Sequence, residues 1–285
     1  MEFNFVQDIE IVLELAGLSM EAFAAELGVS RMTVSNWLSG KKDISEKNIA
    51  SFYEYTFRRG IRLNKIKEQL YREDVADKSE VLLFHGAKTK IEGELRTDCS
   101  KRRNDFGAGF YCGESLEQSA MFVATYPASS LYMLRFCPEG LCGKEFGVSR
   151  EWMLMIAYFR ERLGKYADSG IIRELIQNVE GADYIVAPIA DNRMFEIIDQ
   201  FIDGEITDEQ CRHCLSATNL GRQYVFVADK ALRQVELLER CFLTKAEKEF
   251  YLFSRQASYE MNRDKVKVAR RQYRDAGKYI EEILQ

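Results

Sequence analysis

Residues 104–113 read NDFGAGFYCG. Glycine takes positive φ without the Cβ clash that other residues meet, so Gly107 and Gly109 predict a turn. Working outward, an apolar strand at 81–84 ends in His85-Gly86 upstream, and a strand at 223–228 opens with Gln223 downstream. Further strand candidates lie at 131–136 and 183–189. Helical patterns fall between them, near 116–126, 149–179, 191–203 and 207–217. Strands alternate with helices, yet no glycine-rich phosphate loop follows any strand. The pattern reads as α+β rather than as a doubly wound nucleotide fold.

The chain has 285 residues, long for one domain and comfortable for two. It is 46% hydrophobic and 30% charged, with a net charge of −5. That composition supplies a core and argues against disorder. It also argues against a broad phosphate-tracking surface, so any nucleic-acid contact is expected to be local. The first 20 residues carry no basic n-region, and the longest apolar run, 153–159, is far too short for a membrane span. Seven cysteines without a secretion signal predict reduced thiols and a cytoplasmic protein with no membrane contact. Cys211 and Cys214 with Cys137 and Cys142 make a poor zinc set, so no metal is expected.

Residues 5–59 read as a compact helical unit. Apolar residues recur at helical spacing over 5–16 and again over 44–57. Ser19 is placed to cap a helix ending at Gly28, and Ser30 to cap one stopping at Gly40. The pattern through Ala24, Leu27, Gly28, Val29, Ser30, Thr33, Val34 and Trp37 resembles the phage-repressor-like, Cro-type helix-turn-helix family over about 50 residues. The resemblance implies that Arg31, Met32, Thr33, Ser35 and Asn36 face bases, with Lys41 and Lys42 near phosphates. Residues 1–60 hold six Lys/Arg against nine Asp/Glu, a net of −3. Phosphate neutralisation dominates DNA affinity, so such a unit is expected to bind weakly alone and to need a homodimer. Use of the fold for protein contacts is the other reading. Residues 61–74 continue as a connecting helix, followed by a polar loop. From Thr244 the chain reads as two long helices, and 255–285 carries eight Lys/Arg against five Asp/Glu, the pattern of a solvated face.

Asp105-Phe106-Gly107 spells the magnesium-binding tripeptide of a protein kinase. That chemistry needs a glycine-rich loop, a strand lysine and a His-Arg-Asp loop before it. Only 104 residues precede Asp105, most of them helix-turn-helix, and none of those parts is present. The kinase reading fails, which leaves chance or turn geometry for the tripeptide.

A second resemblance spans more of the chain. Leu82-Leu83-Phe84-His85-Gly86, then Gly107-Ala108-Gly109-Phe110-Tyr111, then Gly221-Arg222-Gln223-Tyr224-Val225 occur in order. Together they resemble the diphtheria-toxin and poly(ADP-ribose)-polymerase class of ADP-ribosyltransferases over roughly residues 80–240. Residues 183–192, with glutamine in the third motif, resemble a bacterial branch of that class. The resemblance implies NAD as substrate. His85 would bond a ribose hydroxyl, Gly86 would offer backbone to the carboxamide, Gly109 and Phe110 would belong to the NAD-binding turn, and Tyr111 would stack on nicotinamide. Gln223 would bond the 2′-hydroxyl of the reacting ribose. The class is best known with glutamate at the Gln223 position. An amide accepts a hydrogen bond but supplies neither charge nor a base, which disfavours polymer growth. Glu117 and Asp191 are the nearby carboxylates in sequence. The alternative readings are a satisfied strand-end histidine at His85, core aromatics at Phe110 and Tyr111, and a polar strand opener at Gln223.

The expected architecture is α+β. An all-α helix-turn-helix domain (1–60) leads through a connecting helix and loop (61–80) to a split-sheet ADP-ribosyltransferase-like domain (81–243), with C-terminal helices (244–285). The expected activity is NAD-dependent mono-ADP-ribosyl transfer to a protein or nucleic-acid acceptor. The expected setting is a bacterial toxin or defence effector, which an antitoxin would accompany. The alternative is a transcription regulator that senses NAD or ADP-ribose without turnover.

Overall fold

A computed structural model describes residues 3–41, 43–76, 78–218 and 220–285. Five helices come first: α1 (Phe5–Ala16), α2 (Met20–Leu27), α3 (Arg31–Leu38), α4 (Glu46–Arg58) and α5 (Leu63–Val75). The sequence sets their ends. Ser19, Ser30 and Ser45 each accept a bond from a backbone N–H three residues on, and Gly17 and Gly28 end α1 and α2 in the left-handed region. Phe5, Ile9, Phe23, Val34, Trp37 and Phe52 form the core of this unit.

The second part runs β1 (Val81–Ala87), β2 (Phe110–Gly113), α6 (Leu116–Val123), β3 (Ser130–Phe136), β4 (Gly143–Glu145), α7 (Arg150–Phe159) and α8 (Gly170–Val179). It continues with β5 (Tyr184–Pro188), α9 (Asn192–Ile202), α10 (Asp208–Ser216), β6 (Arg222–Phe226), α11 (Asp229–Leu232), β7 (Val235–Cys241), α12 (Lys245–Gln272) and α13 (Ile280–Leu284). The seven strands lie in the order β4-β5-β6-β2-β1-β3-β7. All pairs are antiparallel except β4–β5. One core packs α7 and α9 to Ile185, Ala187 and Val225 on one sheet face. A second packs Leu83, Phe110, Tyr132, Phe136 and Phe226 on the other face.

The pairing of β1 with β2 is short. Phe84 sits opposite Gly113, and the ladder goes no further. By contrast β1 pairs with β3 along its full length, from Val81 opposite Phe136 to Ala87 opposite Ser130. Beyond Phe84 the two central strands therefore diverge.

Four expectations change. The single helical pattern over 149–179 is two helices. Glu161 takes φ 59° after α7, and the Arg162 N–H reaches back 2.8 Å to the Ala157 carbonyl, closing the helix end. Strand β7 replaces an expected stretch without assigned structure. The last helix, α13, has five residues and is not long. Gly107 takes positive φ (75°), but Gly109 does not. A Cβ on Gly109 would lie 2.9 Å from Val225 Cγ1 and 3.0 Å from the Phe226 carbonyl oxygen, so close passage of β6 explains that glycine.

The two parts are docked. Buried Lys67 of α5 reaches Asp8 Oδ2 at 3.1 Å and also bonds Glu239 of β7. Phe242 stacks flat on Tyr53 at 4.7 Å between ring centroids.

Candidate functional site

Helix α3 buries Val34 and Trp37 and turns its other side chains outward. Met32 is 68% exposed, and Arg31, Ser35 and Lys41 are exposed too. Thr33 and Asn36 are half-buried. Thr33 Oγ1 sits 2.8 Å from Ser30 Oγ, which ties it to the cap. Arg31 pairs with Glu21 at 2.7 Å on the surface, a contact easily exchanged for phosphate. Lys42 lies outside the described residues.

At the diverging central strands, His85 fills the place where the ladder stops. Its Nδ1 lies 2.6 Å from the Tyr111 carbonyl oxygen. A carbonyl only accepts, so Nδ1 carries the proton and Nε2 keeps a free lone pair. Burial pushes the imidazole pKa down, against a smaller opposing effect from that bond, which favours the neutral ring. The ring stacks on Phe110 with centroids 4.3 Å apart.

Tyr111 points to the other face. Its hydroxyl donates to the Gly107 carbonyl at 2.7 Å and accepts from the Phe106 N–H at 3.1 Å. The side chain thus clamps the turn that precedes its own strand. Gly86 has a different neighbour from the one expected. A Cβ there would lie 2.7 Å from Val123 Cγ1 and 2.9 Å from the Ser119 carbonyl oxygen, so α6 makes the close approach.

Gln223 is 6% exposed and shares the face of Tyr111, since Gly113 pairs with Gln223 and Tyr111 with Val225. Its Nε2 donates to Asp105 Oδ2 at 2.8 Å and to the Pro188 carbonyl at 3.0 Å. Both partners are acceptors, so the amide has one allowed orientation. Oε1 has no donor among the described residues and is left to accept.

Asp105 is the hub behind it. Arg160 Nε donates to Oδ1 at 3.0 Å and Arg160 Nη2 to the same oxygen at 2.5 Å. The Ala190 N–H donates to Oδ2 at 3.2 Å, while Arg160 Nη2 also reaches the Ala190 carbonyl at 2.6 Å. The glycine turn, the end of α7, the loop after β5 and the start of β6 therefore meet at one buried carboxylate. Asp105 has a structural task that sequence reasoning discarded with the kinase motif. The available signal was an aspartate beside a glycine turn, in a chain with a polar residue opening a later strand. Neither Glu117 nor Asp191 supplies a carboxylate at Gln223: Glu117 is on the surface near Lys65, and Asp191, next to Ala190, is engaged in capping α9.

Cys211 and Cys214 are buried, with Sγ atoms directed at the Ile197 and Val266 carbonyls. Among the described residues no group of three or more metal-ligating side chains converges. No helix among them is long and apolar enough to cross a membrane.

Residues 81–237 match the family described as a protein of unknown function (DUF3990), and the chain belongs to that family. Residues 9–52 match the helix-turn-helix family, and the N-terminal unit is accordingly assigned to DNA binding and regulation. Neither the curated proteins nor the solved structures contain a match to this chain.

Proposed function

We propose that residues 81–243 form an NAD-dependent mono-ADP-ribosyltransferase, placed on DNA or regulated through the helix-turn-helix. The observation that carries this reading is the fixed amide of Gln223. Asp105 and Pro188 hold its N–H groups, so Oε1 presents the same acceptor that one glutamate oxygen would. Transfer breaks the bond between nicotinamide and the ribose C1′, nicotinamide leaves as a neutral base, and an acceptor with its own nucleophile takes C1′ and loses a proton. Gln223 Oε1 would accept from the 2′-hydroxyl, an interaction that stabilises most as positive charge develops on the ribose. His85 Nε2 would accept from a second hydroxyl. The two acceptors lie on opposite faces of the sheet, on either side of the point where β1 and β2 part beyond Phe84. The toxin or defence setting, with an antitoxin as partner, rests on analogy alone.

Binding without turnover is a second reading, favoured by one observation. The Asp105 charge is offset by Arg160, so the amide is backed by no free carboxylate. Incubation with labelled NAD and a cell lysate separates the two. Transfer of label, with nicotinamide release, supports the enzyme. NAD-dependent thermal stabilisation without release supports a sensor, and neither signal ends both readings. His85→Ala should abolish the signal with the fold intact. Gln223→Ala should lower turnover more than NAD affinity, and equal losses would contradict its assigned role.

A further inference from the structure

Helix α12 runs for 28 residues and buries only Glu247, Tyr251 and Ala269. A helix lying on a domain normally hides its large apolar side chains. Here Phe250, Phe253, Met261 and Val268 are 44, 76, 62 and 64% exposed. At about 100° per residue these four, with Ala257 between them, fall within a sector of roughly 80°. The stripe they form is ~27 Å long.

The two ends of the stripe differ in shape. The N-terminal end projects Phe253. The C-terminal end borders a groove of about 600 Å³ between α10 and α12, and Met261, Asp264, Lys265 and Val268 line its α12 side. Those four positions have the i, i+3, i+4, i+7 spacing of a hole that receives a knob from a facing helix. One side of the stripe also carries opposite charges at its two ends: Glu249 at the N-terminal end, and Lys267 and Arg271 at the C-terminal end, with Glu260 between them. Glu249 lies 4.0 Å from Lys245 and Lys267 3.5 Å from Asp264, exposed pairs that are easily exchanged.

We infer that α12 is a self-association surface on which a second copy of this chain packs antiparallel. A two-fold axis near residue 259 sets Phe250 opposite Val268 and Ala257 opposite Met261. It sends Phe253 of each copy into the hole of the other. The interface is isologous, so each copy supplies one knob and one hole. Charge selects the antiparallel direction. It brings Glu249 beside Lys267 and Arg271 of the second copy, whereas a parallel pair turns this flank toward the opposite flank of its partner and forms no such contact. The surface is at the small end for a specific interface, so the dimer is expected to dissociate on the order of micromolar concentrations.

Sedimentation velocity on the full chain between roughly 1 and 200 µM tests this. The wild type should pass from monomer to dimer, and Phe253→Glu should weaken association at least about tenfold. Glu249→Lys alone and Lys267→Glu alone should each weaken it, and the double variant should recover most of the loss because the pair is re-formed with reversed sign. Circular dichroism confirms that each variant folds. A wild type that stays monomeric overturns the inference. So does a Phe253→Glu dimer of unchanged affinity, or a charge-reversed double variant no tighter than its parents.

Discussion

Gln223 differs from glutamate by one atom type, yet its surroundings make glutamate the worse residue. Gln223→Glu would strip the N–H donors from Asp105 and Pro188 and set one carboxylate against another. The expected outcome is a loss of about 2–4 kcal/mol in chemical denaturation and no gain in turnover. Asp105→Asn in that background should recover part of the loss, because an amide at 105 can donate to the new carboxylate. If Gln223→Glu instead matched wild-type stability, the hub would not be what orients the amide. Tyr111 acts through its hydroxyl on the turn behind it. Tyr111→Phe removes the bonds to Gly107 and Phe106 and should lower stability by ~1 kcal/mol. It should also speed amide exchange at 106–109, which a ring serving only as a packing surface would leave unchanged.

Helix ends place the buried polar groups. The left-handed Glu161 stops α7 one residue after Arg160, and that stop leaves Arg160 beside Asp105. A longer helix, as the 149–179 pattern suggests, would continue past that point. At the other end of the molecule Thr244 caps α12, and Glu247 in its first turn lies buried against Asn64, whose amide donates at 3.1 Å. Burial raises the Glu247 pKa to about 7, against smaller opposing effects from Asn64, the Thr244 N-cap, Arg62 and Lys67. The sign follows from proton counting: the folded state binds more protons than the unfolded one between pH 4.5 and about 7. This group's contribution is therefore complete below pH 4.5 and lost as pH rises through about 7. Glu247→Gln should leave stability near pH 4.5 little changed and raise it at pH 8 by up to ~3 kcal/mol, measured by denaturation at both pH values. An unchanged slope of stability against pH would show that another group carries the titration.

The whole molecule joins a DNA-binding unit of net charge −3 to the sheet through buried Lys67, Asp8 and Glu239. Few cations can displace counterions from DNA, so the salt dependence should be shallow, with a log–log slope of about −2 to −4 per helix-turn-helix. Arg31→Ala should reduce that slope by ~1, as fluorescence anisotropy at several salt concentrations would register. A slope several units steeper would mean that cations outside α3 and its flanks contact phosphate, the basic 255–285 segment being the first place to look. Pairing through α12 would offer two such units to one operator. That supplies the second half-site that a weakly charged monomer needs.

Local chemistry in the sequence determined the helix-turn-helix outright. Serine caps, glycine stops and apolar spacing are short-range signals; α1 and α2 begin and end where they indicate, α3 begins at its Ser30 cap but ends at Leu38, before Gly40, and α4 runs 46–58 where the spacing gave 44–57. The α+β class and four of the strands were legible for the same reason. His85, Tyr111 and Gln223 stand out by motif order, which needs no coordinates. The tertiary structure alone decided how they are arranged. Asp105 lies 118 positions from Gln223 and 55 from Arg160, and no periodicity links residues so far apart. The end of β1–β2 pairing at Phe84 is also invisible in sequence, since a strand's pattern records which face is buried and not where its neighbour departs. Local rules fix an element's ends; a buried hydrogen-bond network is fixed only when distant segments are desolvated together, and that happens only in the folded chain.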